Sequence, residues 1–184
     1  MANNDTTNVK LGVCKVFFGG VDLGFTKGGV EVSVETETHE VQIDQYGNTP
    51  IDEYITGRTV NVSVPLAETT LDNLVAIMPG AKLETDASAN ATKVLVPTGV
   101  GVKLKDFAKE LILVPKGLNG TLDYNDAVRI PKAATPGAMT FAYKLDEERI
   151  FNCTFKGYPV TEGTADNATE VLYQVGKATA PVSP

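Results

Sequence analysis

Apolar and polar positions along this chain alternate mainly with a period of two. Between Gly28 and Asp44, Val30, Val32 and Val34 interleave with Glu31, Ser33 and Glu35. Successive side chains of a strand point to opposite faces, so this stretch predicts a strand with one apolar and one acidic face. The phase changes farther on, where Val41 and Ile43 fall on odd numbers although the earlier valines were even. A one-residue slip sends side chains to the other face, so a β-bulge or bend is predicted within Glu37–Glu40. Arg58–Pro65 alternates again, with Val60, Val62 and Val64 against Asn61 and Ser63. It reads as the antiparallel neighbour of the 29–44 strand. The intervening Gln45–Gly57 contains YGNTP and reads as a loop or projecting hairpin.

Shorter strands are predicted at Leu11–Phe18, Val21–Phe25, Lys93–Pro97, Gly101–Lys105, Glu110–Val114, Ala127–Pro131 and Glu170–Val175. Met139–Leu145 and Glu148–Lys156 pattern as a hairpin across Asp146–Glu147, while Ala81–Thr92 and Lys116–Asn125 read as loops. A helical period occurs once. Leu71, Leu74, Val75 and Met78 form one stripe, with Thr69 or Thr70 able to cap it, Asp72 in the first turn and Pro79–Gly80 as a stop. About ten strands with one helix predict a mainly β fold, two packed antiparallel sheets forming a sandwich or partial barrel with the helix on its flank. No internal repeat or linker divides the chain. It is expected to be one domain, 1–184, with a mobile N-terminal segment (1–9), the 45–57 arm and a C-terminal tail (177–184).

Composition adds little except through charge. A hydrophobic share of 42% with 21% charged residues suits a globular core. No apolar run reaches the length of a membrane span, and Met1–Lys10 lacks the pattern of a signal peptide, so folding in a cytoplasm and no membrane partner are expected. The net charge of −7 is unevenly placed: residues 1–80 hold 11 acids and 4 bases, residues 81–184 hold 12 of each. Seven carboxylates (Glu31, Glu35, Glu37, Glu40, Asp44, Asp52, Glu53) fall within Gly28–Gly57, which has no Lys or Arg. Such a surface repels phosphates and disfavours a protein that grips nucleic acid.

Candidate chemistry is sparse. The single histidine, His39, has no second imidazole to share a metal, and Cys14 and Cys153 lack CxxC partners, so both read as reduced thiols in or near the core. The carboxylates lack the tryptophans that accompany sugar hydrolysis. Asp123–Asn125–Asp126 opens like a calcium loop but lacks its glycine and closing glutamate. Gly99–Gly101 is too short to cradle phosphate, and the Asn-x-Ser/Thr matches at Asn61 and Asn152 fall inside strands. No enzyme, metal or cofactor is expected. An acidic strand face is ordinarily a solvated surface. Here it continues into an arm whose Ile51, Tyr54 and Ile55 its own domain has no means to bury, which suggests contact with a neighbouring subunit.

The order of these elements resembles the tail tube (major tail) proteins of long-tailed, siphovirus-type phages, whose fold is shared with the tubes of contractile tails and of type VI secretion. The likeness rests on the Gly28–Asp44 strand, the loop YGNTPIDEYITG, the return strand RTVNVSVPLAE, the helix TTLDNLVAIMPG and the late strand FNCTFKGYP. The resemblance implies a non-enzymatic virion protein of the tail, assembled in the host cytoplasm from hexameric rings stacked into a hollow tube. Double-stranded DNA would pass through its lumen without specific binding. Implied partners are further copies of the chain, the tape measure protein, the tail terminator and the tail tip proteins. Implied lumen-facing residues are Glu31, Ser33, Glu35, Gln42, Asp44, Asn61 and Ser63, joined by Asn152, Thr154 and Lys156. Implied inter-subunit contacts are Tyr46, Pro50, Ile51, Tyr54 and Ile55. A type VI-like tube protein is the near alternative, and a surface-displayed β-sandwich binding protein the distant one.

Overall fold

The computed structural model describes residues 12–88, 90–117, 119–140, 145, 148–162 and 169–181. Twelve strands occur among them: β1 (Cys14–Phe18), β2 (Val21–Asp22), β3 (Glu31–Gln42), β4 (Pro50–Leu66), β5 (Lys82–Thr85), β6 (Ala91–Leu95), β7 (Lys109–Pro115), β8 (Ala127–Ala134), β9 (Phe151–Gly157), β10 (Val160–Glu162), β11 (Thr169–Val171) and β12 (Gln174–Gly176), with one α-helix, α1 (Leu71–Ile77). Eight strands make one antiparallel sheet in the order β2-β1-β7-β8-β9-β4-β3, with β12 also paired to β8. The β5–β6 and β10–β11 hairpins stand apart from it.

This sheet folds back on itself. Strands β1 and β9 are separated by β7 and β8, a distance of about 14 Å in a flat sheet. Yet the Phe18 and Phe155 rings lie 4.9 Å apart between centroids. The two layers are therefore halves of one coiled sheet, a sandwich that does not close into a barrel. Between them lies a single apolar cluster that includes Val16, Leu23, Val60, Val62, Leu111 and Phe151, all fully buried. Alternation explains which residues enter it: β9 buries Phe151, Cys153, Phe155 and Gly157 and exposes Asn152, Thr154 and Lys156.

Helix α1 covers one side. Thr70 accepts a bond from the Asn73 backbone N–H at 3.2 Å, the cap expected of its hydroxyl. Leu74 and Met78 pack against the core as the stripe predicts, but Ile77 is the fully buried apolar residue of the helix. Asn73 is buried as well, and its Nδ2 donates to Leu23 O at 3.0 Å and Glu68 O at 3.1 Å. The amide thus ties the helix to the turn after β2.

Several elements depart from the pattern reading. Ala81–Thr92 is not a plain loop, since it contains β5, which pairs along the length of β6 from Ala91 to Leu95. Residues 101–105 form no strand: a 3-10 helix spans Leu104–Phe107, held by the Asp106 N–H bond to Lys103 O. The Glu170–Val175 strand divides into β11 and β12, which pair with different partners. Residues 1–9, most of the 139–145 half of the predicted hairpin, its tip at Asp146–Glu147 and the last three residues of the tail lie outside the described residues.

Candidate functional site

Strands β3 and β4 form a hairpin much longer than the core needs. Of the two readings of Gln45–Gly57, loop or projecting hairpin, the structure has the hairpin, because β4 already begins at Pro50. Only 43–49 turns, through a 3-10 segment at Asp44–Tyr46 and Gly47 at φ +61°, a left-handed conformation that glycine adopts without strain. Glycine and proline at 47, 50 and 57 read as turn formers, but the facing strand β3 supplies the ladder that holds 50–57 extended. Burial along β4 begins at Val60. Roughly ten residues, ~33 Å of ribbon, thus extend past the sandwich. Every side chain from Glu31 to Glu40 and from Pro50 to Thr56 is exposed.

The predicted phase break is present, but on the opposite strand. Glu37 pairs with Gly57 and Thr38 with Ile55, so Thr56 is the extra residue of a bulge. A second shift between Val41 and Gln42 leaves Ile51 over. Strand β3 itself alternates without interruption. Val41 therefore shares the face of Glu31 and Glu35, opposite Asp52, and Gln42 lies on the other face, opposite Pro50.

At the root of the hairpin, register collects most of the polar residues singled out from the sequence. Glu31, Ser63 and Thr154 form one cross-strand row, and Ser33, Asn61 and Lys156 the next. Glu35 stands beside Thr59, and Asn152 beside Pro65. All lie on the side away from Val60, Val62, Phe151 and Phe155, which makes a polar face three strands wide. Gln42 and Asp44 do not join it. The first lies on the opposite face, and the second is in the distal turn.

The apolar face of β3 differs from expectation too. Val32 and Val34 share the side of the buried Val62 and Val60 but remain 36% and 39% exposed, because β3 is the outermost strand of the sheet and no other described strand pairs beyond it. Only Val30, at its root, packs against the core. The arm carries Tyr46, Ile51, Tyr54 and Ile55, each at least half exposed. Tyr54 pairs with His39 and Ile55 with Thr38, so these two side chains lie on opposite faces of the ribbon. Among the described residues, none of the seven carboxylates between 28 and 57 forms an ion pair. The pairs present lie elsewhere: Lys15–Asp22 at 2.6 Å, Lys93–Glu84 at 2.9 Å, Lys27–Glu148 and Arg129–Glu110.

The remaining chemical candidates resolve into structure. Asp123 accepts from the Asn125 N–H at 3.0 Å and caps the 3-10 turn Tyr124–Asp126. Asp86 accepts from the backbone of Ser88 and Asn90, and the Asn90 bonds hold its carboxyl below the usual range. Lys27 does the same for Glu148. Cys153 is buried in β9 and Cys14 half-buried in β1, both free thiols, and burial raises both pKa values. A scan against protein-family models finds no match for this chain, and a search of curated proteins finds none either.

Proposed function

We propose that the chain is a structural subunit of a phage tail tube, which polymerises as stacked hexameric rings around a bore through which genomic DNA passes. The observation that carries this reading is a single hairpin, β3–β4, that combines two surfaces a lone domain does not use. Its root is a polar face on which, among the described residues, Glu31 and Glu35 form no ion pair, and its distal ribbon exposes Tyr46, Ile51, Tyr54 and Ile55. Large apolar side chains left exposed on both faces of one projecting ribbon suit contact with another molecule. An uncovered twelve-residue edge strand is a template for pairing that ring closure would occupy.

Function follows from repetition. Carboxylates at Glu31 and Glu35, repeated around a ring, keep phosphates from adhering to the wall within a Debye length of ~8–10 Å. A lysine-lined wall would instead bind DNA with strong salt dependence. No bond is made or broken, so the subunit acts by shape and charge alone. Negative-stain microscopy of the concentrated protein should show hollow tubes or rings. A virion tail built from another polypeptide, with this one absent, would refute the proposal.

A further inference from the structure

A second exposed surface has the opposite charge to the ribbon. Residues 93–109 hold Lys93, Lys103, Lys105 and Lys109 against Asp106 alone, a net charge of +3, whereas residues 28–57 carry −7. Lys93 is engaged with Glu84, and Lys109 lies 5.9 Å over the Phe18 ring. Lys103 and Lys105 are exposed and, among the described residues, make no ion pair. Around them the surface is apolar: Val96, Val100, Val102 and Phe107 are 56%, 93%, 42% and 39% exposed.

Val96, Val102, Phe107 and Lys109 border adjoining depressions, and Lys103 and Lys105 flank Val102 and Phe107 along the chain. Two shallow depressions, of about 220 and 200 Å³, share Met78 and Pro79 at the end of α1. Phe107 and Lys109 line the first, and Val96, Val102 and Leu104 the second. The backbone beneath is closely set, since a Cβ on Gly80 would touch the Pro97 ring at 3.4 Å and one on Gly137 would approach Pro79 at 3.1 Å.

We infer that this surface receives the β3–β4 ribbon of a second copy of the chain, an inference that rests on reading the ribbon as an inter-subunit arm. The charges of the two surfaces are complementary, and each interleaves them with uncovered apolar side chains. Ile51, Tyr54 and Ile55 lie among Glu40, Asp52 and Glu53 on the ribbon, and on the receptor Val102 and Phe107 lie within two residues of Lys103 and Lys105, with Val96 in the same depression as Val102. Opposite charges bring such surfaces together and fix their register, while desolvated aromatic and aliphatic anchors hold them. Donor and acceptor are different patches of one molecule, so the contact is head-to-tail and repeats without self-pairing.

The test is a charge swap read by sedimentation and negative stain under conditions in which the unaltered protein forms tubes. K103E/K105E and D52K/E53K should each keep the wild-type circular dichroism and melting temperature. Each should also raise the concentration needed for polymer about tenfold or more. The variant carrying all four substitutions should polymerise again. Tubes from K103E/K105E at wild-type concentration would overturn the placement of the arm and leave the tube reading standing. Failure of the fourfold variant to recover would overturn the placement as well. An unaltered protein that never polymerises, and is absent from tails, would instead refute the tube reading and this inference with it.

Discussion

A methyl group on Gly157 would sit 2.3 Å from Val60 Cγ1 and 3.1 Å from Ile130 Cγ2, in the middle of the sandwich. Here glycine is required by the closeness of β4 and β8 and not by its backbone angle. Gly157→Ala should therefore cost about 1–3 kcal/mol through forced repacking, seen as a lower urea midpoint with an unchanged slope. Cys153, two pairs along the same face, tests burial by titration. Its thiol is pushed up to about 11 from an ordinary 9.0 by desolvation. A raised folded-state pKa means that the neutral thiol stabilises the fold fully below pH 9 and loses that contribution as pH rises through 11. The wild type should lose more of its melting temperature between pH 9 and about pH 11 than Cys153→Ala does, with the range set by those two values. In the native protein at neutral pH, Cys153 should stay unlabelled by thiol reagents until denaturant is added.

The distal β3–β4 ribbon contributes little to the stability of the fold, because its residues are exposed from Pro50 to Thr56. Replacing Ile51, Tyr54 and Ile55 together by Asp should leave a folded monomer with a melting temperature within about 2–4 °C of wild type. The same variant should form no tubes on concentration, and normal tubes would dismiss the arm. Elements that bury one face were legible from sequence. The alternation of Val60, Val62 and Val64 predicts their full burial in β4, and the phase change near His39 predicts a bulge at the right level of the hairpin but on β3, whereas the extra residue is Thr56 of β4. The Thr70 cap was legible for the same local reason. What could not be read depends on partners. β5 pairs with little burial and so leaves no period-two signal, although its partner is predicted as Lys93–Pro97, and the choice between loop and hairpin for Pro50–Gly57 is decided only by the facing β3. For the site, the rows Glu31–Ser63–Thr154 and Ser33–Asn61–Lys156 followed from alternation. Gln42 was assigned to the wrong face because nothing in β3 reveals that the extra residue belongs to β4. The lysine-bearing surface at 96–107 went unnoticed because Val102 and Leu104 imitate a strand.

For the whole molecule, the placement of charge matters more than its total. The net −7 is concentrated in one hairpin, and the core-bearing remainder is close to neutral. Changing Glu31 and Glu35 to Lys leaves every buried residue untouched, so E31K/E35K subunits should fold and, on the tube reading, assemble. Their tubes should then retain double-stranded DNA at low salt and release it as salt rises, an effect absent from wild-type tubes. Gel retardation of assembled tubes measures it, and equal retention by both would place those carboxylates outside the bore.

The bulge at Thr56 also governs aim. It lies six strand residues, ~20 Å, from Pro50, and over that length a change of direction of ~10° displaces the tip by ~3.5 Å, about a side-chain contact distance. Deleting Thr56 removes no cross-strand pair, since Glu37 still meets Gly57 and Thr38 still meets Ile55. It changes only the local twist. Such a subunit should melt like wild type and present the same arm residues in the same order, yet fail to join its neighbours because the lever points elsewhere. One unpaired residue would then set the pitch at which copies of this chain can follow one another.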